Sequence, residues 1–194
     1  MLKSTLAALL LLGLLNPAAG KAPQTEIAAP EEVRALALVE HHLARERTRR
    51  LQPELRAELA RTLVRECAAH DLEPSLVLAV IQVESRFDTR AVSNANAYGL
   101  MQIQPRTGLA WARRLGIPWR GVDTLYDPID NVRIGIAYLA RLRDRFDNLP
   151  TALSAYNQGP TRVSRRLGAG QGVPAGYARR VMQAWAGHLS VRGS

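Results

Sequence analysis

The sequence predicts a mostly α-helical domain. Apolar residues recur at helical spacing through most of the chain, and prolines stand where first turns of helices would begin. No alternating strand run and no internal repeat breaks that pattern.

Taken in order, Lys3, the apolar run over residues 6–15, Pro17 and the small residues Ala18, Ala19 and Gly20 have the layout of a cleaved secretory signal over residues 1–20. The run is about half the roughly 20 residues that a membrane-spanning helix needs, so no stable span is expected in the mature chain. The only cysteine, Cys67, lies far from the run, so a lipid anchor there is not expected either. The expected location is therefore the periplasm or cell envelope, after cleavage near Gly20. Residues 21–30, rich in Ala and Pro, read as a leader. Residues 31–50 give an amphipathic helix with Val33, Leu36, Val39 and Leu43 on one stripe, and residues 21–52 together form an extension. Packing on the main domain, contact with a partner and simple solvation are all open for this helix.

The main domain is expected over residues 53–190, with 191–194 as a tail. Pro53 suits the first turn of a helix reaching about His70, and Cys67 falls in step with Leu55, Leu59 and Leu63 as a buried core residue. Pro74 opens a helix over residues 75–85 that is apolar nearly all round and should be buried. Asp127 followed by Pro128 reads as an N-cap and first-turn proline. The helix they start should run to about Phe146, with Val132, Ile136, Leu139 and Leu142 inward. Two shorter helices over 151–156 and 161–167 are separated by Gly159 and Pro160, and a last helix covers 177–189.

The chain holds 26 Lys and Arg against 17 Asp and Glu, a net charge of +9. That implies attraction to something anionic. Nucleic acid is disfavoured, because the arginines are scattered without aromatic interleaving or a binding motif. An envelope polyanion and mere solubility through charge remain as readings. One cysteine makes no internal disulfide, so the fold must be held by packing. His41, His42, His70 and His188 lack companions at ligand spacing, so neither a metal nor a cofactor is expected.

The chemistry centres on the helix over residues 75–85. Val77, Val80, Ile81 and Glu84 share one of its faces. Burial among aliphatics disfavours the charged carboxylate, and a helix C-terminus pushes the same way, so Glu84 should hold its proton to unusually high pH. A protonated carboxyl near neutral pH is what a glycosidic oxygen needs as proton donor. From the helix alone, a Glu that merely ends it and faces water is the stronger reading.

The residues after the helix reverse that balance. Glu84-Ser85-Arg86-Phe87 precedes Ala91, Ser93, Ala97 and the run from Gly99 and Leu100 through Met101, Gln102, Ile103, Gln104, Pro105 and Arg106 to Thr107. Later come Leu125-Tyr126-Asp127-Pro128 with Asn131, Gly135, Tyr138 and Leu139, and then Ala155-Tyr156-Asn157-Gln158-Gly159-Pro160 with Val163. In order and spacing these blocks resemble the lytic transglycosylase family, whose fold is goose-type-lysozyme-like. The resemblance covers residues 53–188. It implies a lysozyme-like helical domain with a substrate groove, preceded here by the extra N-terminal helix. It implies Glu84 as catalytic acid and base, with Ser93 and Tyr156 orienting its carboxyl. Gln102 and Asn157 would hold sugar hydroxyl or acetamido groups, Gly99 would let backbone approach the sugar, and Met101 would form wall or ligand contact. Asn96 stands where the family usually has Gly and is the next-best residue for positive φ. Asp127 and Asn131 are expected to cap and join helices, and Trp111, Trp119 and Trp185 to be core. Tyr177, expected among the substrate-binding residues, and Val181 match, but Val173-Pro174-Ala175-Gly176 stands where the family commonly carries Glu-Thr, which puts one groove contact in doubt.

A hydrolytic glycosidase usually needs two carboxylates about 5 to 9.5 Å apart. No second acid accompanies Glu84 in the matched blocks. The resemblance therefore implies cleavage between N-acetylmuramic acid and N-acetylglucosamine with closure of a 1,6-anhydro ring. The partner is the peptidoglycan glycan strand, with an envelope or secretion-machine protein as a further one. Rival readings are a hydrolytic lysozyme using Asp88 or Asp123, a catalytically silent wall-binding module and a basic nucleic-acid binder.

Overall fold

The computed structural model describes residues 30–190. The expected export signal, the leader up to residue 29 and the 191–194 tail lie outside those residues. Among the described residues there are nine α-helices and no strand, and the domain is mostly α as the sequence predicts.

Helix α1 (Pro30–Arg45) buries Leu38, Val39 and Leu43 against α2 (Pro53–Ala69) and α3 (Pro74–Ser85). The extension thus packs on the domain. The expected stripe is rotated, however, and Val33 is 55% exposed. The predicted 31–50 helix also ends early. At Glu46 the backbone turns extended, and the buried Thr48 hydroxyl donates to Leu43 O at 2.7 Å. That side chain takes the acceptor a continuing helix would use, and a single 3-10 turn (Arg47–Arg50) follows.

Helix α3 is buried on all sides but its C-terminal end and lies along α9 (Gly176–Ser190). Cys67 is fully buried on α2, and burial pushes its thiol up to about 12, so it is inert at physiological pH. Helix α6 (Pro128–Arg145) starts as expected, with Asp127 Oδ1 accepting from the backbone of Ile129 and Asp130. Val132, Ile136, Leu139 and Leu142 are buried, and so is Ile134, because α2, α4, α5 and α7 pack around this helix. Helices α7 (Leu149–Gln158) and α8 (Pro160–Gly168) meet at Gly159 (φ +86°). Two helices were not expected: α4 (Pro105–Leu115), and α5 (Val122–Tyr126), which is too short to show a period. Trp111, Trp119 and Trp185 are partly buried against the core, and Trp185 donates to Ser75 Oγ at 2.9 Å.

Between α3 and α4 the chain forms a bridged loop, with Tyr98 paired to both Val92 and Ile103. Asn131, fully buried on α6, fastens it. Its Oδ1 accepts from Met101 N at 2.8 Å, and its Nδ2 donates to Tyr98 O and Leu125 O at 2.9 and 2.8 Å. Gly99 (φ +74°) sits so tightly here that a Cβ would come within 2.2 Å of Leu125 O. Asn131 is thus the helix-joining residue the sequence predicts.

Candidate active site

Glu84 ends α3, the one part of that helix not enclosed, and the chain leaves it through left-handed backbone at Arg86 and Phe87 (φ 50° and 60°). Phe87, 1% exposed, plugs the core and fixes the exit. The Glu84 carboxyl is half-buried. Burial raises it from 4.5 to about 7, working against the Tyr177 hydroxyl and the Arg180 guanidinium, both of which favour the charged form. Tyr177 Oη donates to Glu84 Oε1 at 2.6 Å, a short charge-assisted bond that fixes the carboxyl rotamer. The second oxygen, Oε2, has no hydrogen-bond donor among the described residues. One oxygen is held and the other is open, on a group poised to gain or lose a proton at neutral pH.

The two groups that favour the charged form come from α9. Tyr177 is 5% exposed, and Arg180, one turn on, places its guanidinium carbon 5.8 Å from the Tyr177 ring centre. Arg180 was missed by sequence reasoning; its spacing of three from Tyr177 on one helix face was the available signal. Tyr156, on α7, is buried and lies near enough for the Glu84 charge to help hold its phenol protonated. Its ring is 5.3 Å from that of Tyr138, which is 6.2 Å from Trp111.

Several residues expected at the site have partners inside the protein. Tyr156 Oη donates to Met101 O at 2.8 Å, not to Glu84. Ser93 Oγ accepts from Ala97 N at 3.1 Å and closes the loop around Asn96 (φ 53°). Among the described residues, the hydroxyl that bonds the Glu84 carboxyl is that of Tyr177. Met101 is 0% exposed, and a Cβ on Gly135 would come within 2.3 Å of its sulfur, so its side chain is core behind the wall. The close approach at Gly99 is to Leu125 and Asn131 inside the protein. Gln102 spends its amide hydrogens on Ala91 O and Gly99 O at 3.1 and 3.0 Å, leaving its Oε1 as an acceptor. Asn157 is exposed at the end of α7.

No second carboxylate perturbs Glu84. Asp88, four residues on, is tied to Arg47 Nη1 at 2.7 Å and accepts from Arg90 N at 2.9 Å. Asp123 is exposed in the first turn of α5. Among the described residues no group of three or more His, Cys, Asp or Glu side chains could hold a metal ion, and no helix is long and apolar enough to cross a membrane.

Known proteins are similar to this chain. The Transglycosylase SLT domain family matches residues 63–174. The membrane-bound lytic murein transglycosylase C of Actinobacillus pleuropneumoniae serotype 5b is 44% identical over 121 residues, covering 55% of this chain and 32% of that protein. The chain thus spans about a third of the length of the curated relatives it matches. Among solved structures, the 70-kDa soluble lytic transglycosylase of Escherichia coli aligns with a TM-score of 0.62 at 25% identity, covering 84% of this chain and 31% of that one. An inactive mutant of the lytic transglycosylase Slt from Pseudomonas aeruginosa gives 0.61 at 26% identity, covering 84% and 30%. Helices α1 and α9 lie outside the matched span, so Tyr177 and Arg180 are supplied from beyond it. With more than half of its length matched, the chain belongs to the Transglycosylase SLT domain family.

Proposed function

We propose that the chain is an exported lytic transglycosylase that cleaves the β-1,4 bond between N-acetylmuramic acid and N-acetylglucosamine in peptidoglycan. The observation that carries this reading is a lone carboxyl, raised to about 7, with one oxygen held by Tyr177 and no acidic neighbour. At that value Glu84 is present in both forms near neutral pH, as a group that acts first as acid and then as base requires.

Glu84 gives its proton to the glycosidic oxygen, and the bond from the muramoyl C1 to that oxygen breaks. The substrate's own acetamido oxygen steadies the cationic carbon. The carboxylate left behind, stabilised by Tyr177 and Arg180, takes the proton from the muramoyl 6-hydroxyl as that oxygen closes on C1. Glu84 ends protonated and no water is consumed. Gln102 Oε1 and the exposed Asn157 are the proposed polar contacts to the sugar. Hydrolysis would need a second group to activate water, and Asp88 is engaged by Arg47 and the Arg90 backbone.

Mass spectrometry of the products from purified sacculi tests the reading. Anhydromuramoyl ends, lighter by one water than hydrolytic ends, are expected. Reducing muramic acid ends as the main product would make the chain a lysozyme, and no release of fragments would make it a binding module.

A further inference from the structure

The chain carries no Asp or Glu after Asp147, yet Arg162, Arg165, Arg166, Arg179, Arg180 and Arg192 all fall in that stretch. Three of them meet on α8. Arg162, Arg165 and Arg166 line a concavity of about 490 Å³ together with Ala169 and Gln171. No carboxylate among the described residues pairs with any of the three.

Helix design does not account for this cluster. Arg165 and Arg166 sit in the last turn, where the helix dipole favours cations, but Arg162 lies in the first turn, where it does not. Arg162 also stands three and four residues from two like charges, an arrangement that costs a few tenths of a kcal/mol per pair. Arg166 is held in place, its Nε donating to Gly172 O at 2.9 Å, while Gln171 N donates to Arg166 O at 2.9 Å.

The loop that holds Arg166 continues toward the active site. Pro174 O, two residues past Gly172, accepts from Gln158 Nε2 at 3.2 Å and Ser154 Oγ at 3.3 Å, which ties the loop to α7 beside Asn157. Tyr177 follows three residues later. Along α8, Arg166 lies only about 9 Å from Pro160 at ~1.5 Å per residue.

We propose that the Arg162, Arg165 and Arg166 concavity is an anion subsite for the free carboxylates of the peptide stems carried by a bound glycan strand. The inference rests on the wall-cleaving reading above. Guanidinium forks pair with planar carboxylates through two parallel hydrogen bonds, and three unneutralised forks on one helix suit a stem that bears several carboxylates.

The test replaces Arg162 and Arg165 by Gln (R162Q/R165Q), leaving the bond from Arg166 to Gly172 intact. Calorimetry with the tripeptide L-alanyl-γ-D-glutamyl-diaminopimelate measures binding, against the same peptide with amidated carboxyls and against inorganic phosphate. Expected are saturable binding of the free tripeptide by the parent, at least tenfold weaker binding by the variant, intermediate binding by R162K/R165K, which keeps the charge but not the fork, and negligible binding of the amidated peptide. In a second arm, turnover is compared on sacculi and on glycan strands stripped of their peptides. The variant should lose preference for stem-bearing strands through KM, with kcat on stripped strands unchanged. Equal binding of free and amidated peptide, a variant that discriminates like the parent, or phosphate binding in place of the tripeptide overturns the subsite. Tripeptide binding at these arginines in a chain that releases no wall fragments would keep the subsite and sink the catalytic reading.

Discussion

The two ends of α9 each meet a half-buried titratable group, and burial moves those groups in opposite directions. At the N-terminal end, Tyr177 holds Glu84, whose carboxyl is raised to about 7. At the C-terminal end, His188 Nδ1 lies 3.2 Å from His42 Nε2 on α1, with the rings edge-to-face, and burial and then the His188 charge lower His42 from 6.5 to about 4. In both places the protein keeps the neutral form to unusual pH. The difference lies in access. Glu84 keeps one oxygen free and has a donor and a cation ready for its charged form, so it can cycle. His42 faces His188, His41 and Arg45, all of which oppose a positive charge, and His188 Nε2 is buried with no protein partner. A perturbed pKa marks a site only where the charged form also has somewhere to go.

The largest effect that bears on this contrast is Glu84→Gln. It keeps the shape and the Tyr177 contact but carries no exchangeable acid, so turnover should fall by at least about 10²–10⁴-fold, the usual contribution of general acid–base catalysis. Muropeptide release from sacculi measures it, with circular dichroism reporting an intact fold; an E84Q variant that still releases fragments at the parent rate removes Glu84 from the mechanism. Next is Tyr177→Phe. The lost bond favours the carboxylate, so Glu84 should hold its proton above about 7, and the alkaline limb of the pH–rate profile should move to higher pH. A hydrogen bond to a charged group contributes about 1.5–3 kcal/mol, which sets a loss of roughly 10- to 100-fold in kcat. An unshifted limb would reduce Tyr177 to a wall residue. Arg180→Gln should shift the limb the same way by less, because Arg180 is the smaller influence on Glu84.

Glu84 also leaves a signature in stability. Its folded value of about 7 lies above its ordinary 4.5, so the folded state binds the extra proton between those values. Stability from this group is full below about 4.5 and is lost as pH rises through 7. Glu84→Gln removes the loss, and its Tm should exceed the parent's by a few degrees near pH 8 and match it near pH 4. Thermal melts at the two pH values decide this, and a Tm gain that is the same at both would point to packing instead.

How far these features could be read from sequence depends on whether local chemistry or tertiary packing sets them. The ends of α3 and α6 were legible because Pro74 and Asp127-Pro128 write the caps into the chain. The face carrying Val77, Val80, Ile81 and Glu84 was legible because α3 is straight and enclosed. On α1, Leu36 and Leu38 are both apolar, so two overlapping stripes were available and only the packing of α1 on α2 chose the one with Leu38. Helix α4 did write its signals, Pro105 at its start and Gly116 (φ +66°) past its end, but the run before it drew the reading to the loop. The partner of Glu84 was not legible. Tyr177 stands 93 residues away, and nothing local says that α9 rather than Tyr156 or Ser93 delivers the hydroxyl. Those two were assigned by position; Ser93 instead accepts from Ala97 N within its own loop, and Tyr156, on α7, donates to Met101 O.

The smallest effect expected is at the other end of α9. His42 titrates below its ordinary value when folded, so the unfolded chain binds the extra proton between about 4 and 6.5. Its contribution is therefore full above 6.5 and is lost as pH falls toward 4, opposite in sign to that of Glu84 across nearly the same window. In the parent the two slopes offset each other, and the stability profile between pH 4.5 and 6.5 should be flatter than either group alone would make it. Glu84→Gln exposes the histidine slope, and its stability should then fall as pH drops through that window. His42→Gln keeps a hydrogen-bonding group opposite His188 but cannot take up a proton. It should cost about 1 kcal/mol at pH 7.5 through lost ring packing and converge with the parent at pH 5, where the parent's own imidazole has begun to work against folding. Urea unfolding of the single variants and their combination across pH 4.5–8 separates the two contributions. If the double variant keeps the slope of Glu84→Gln, the acid sensitivity belongs to some group other than His42.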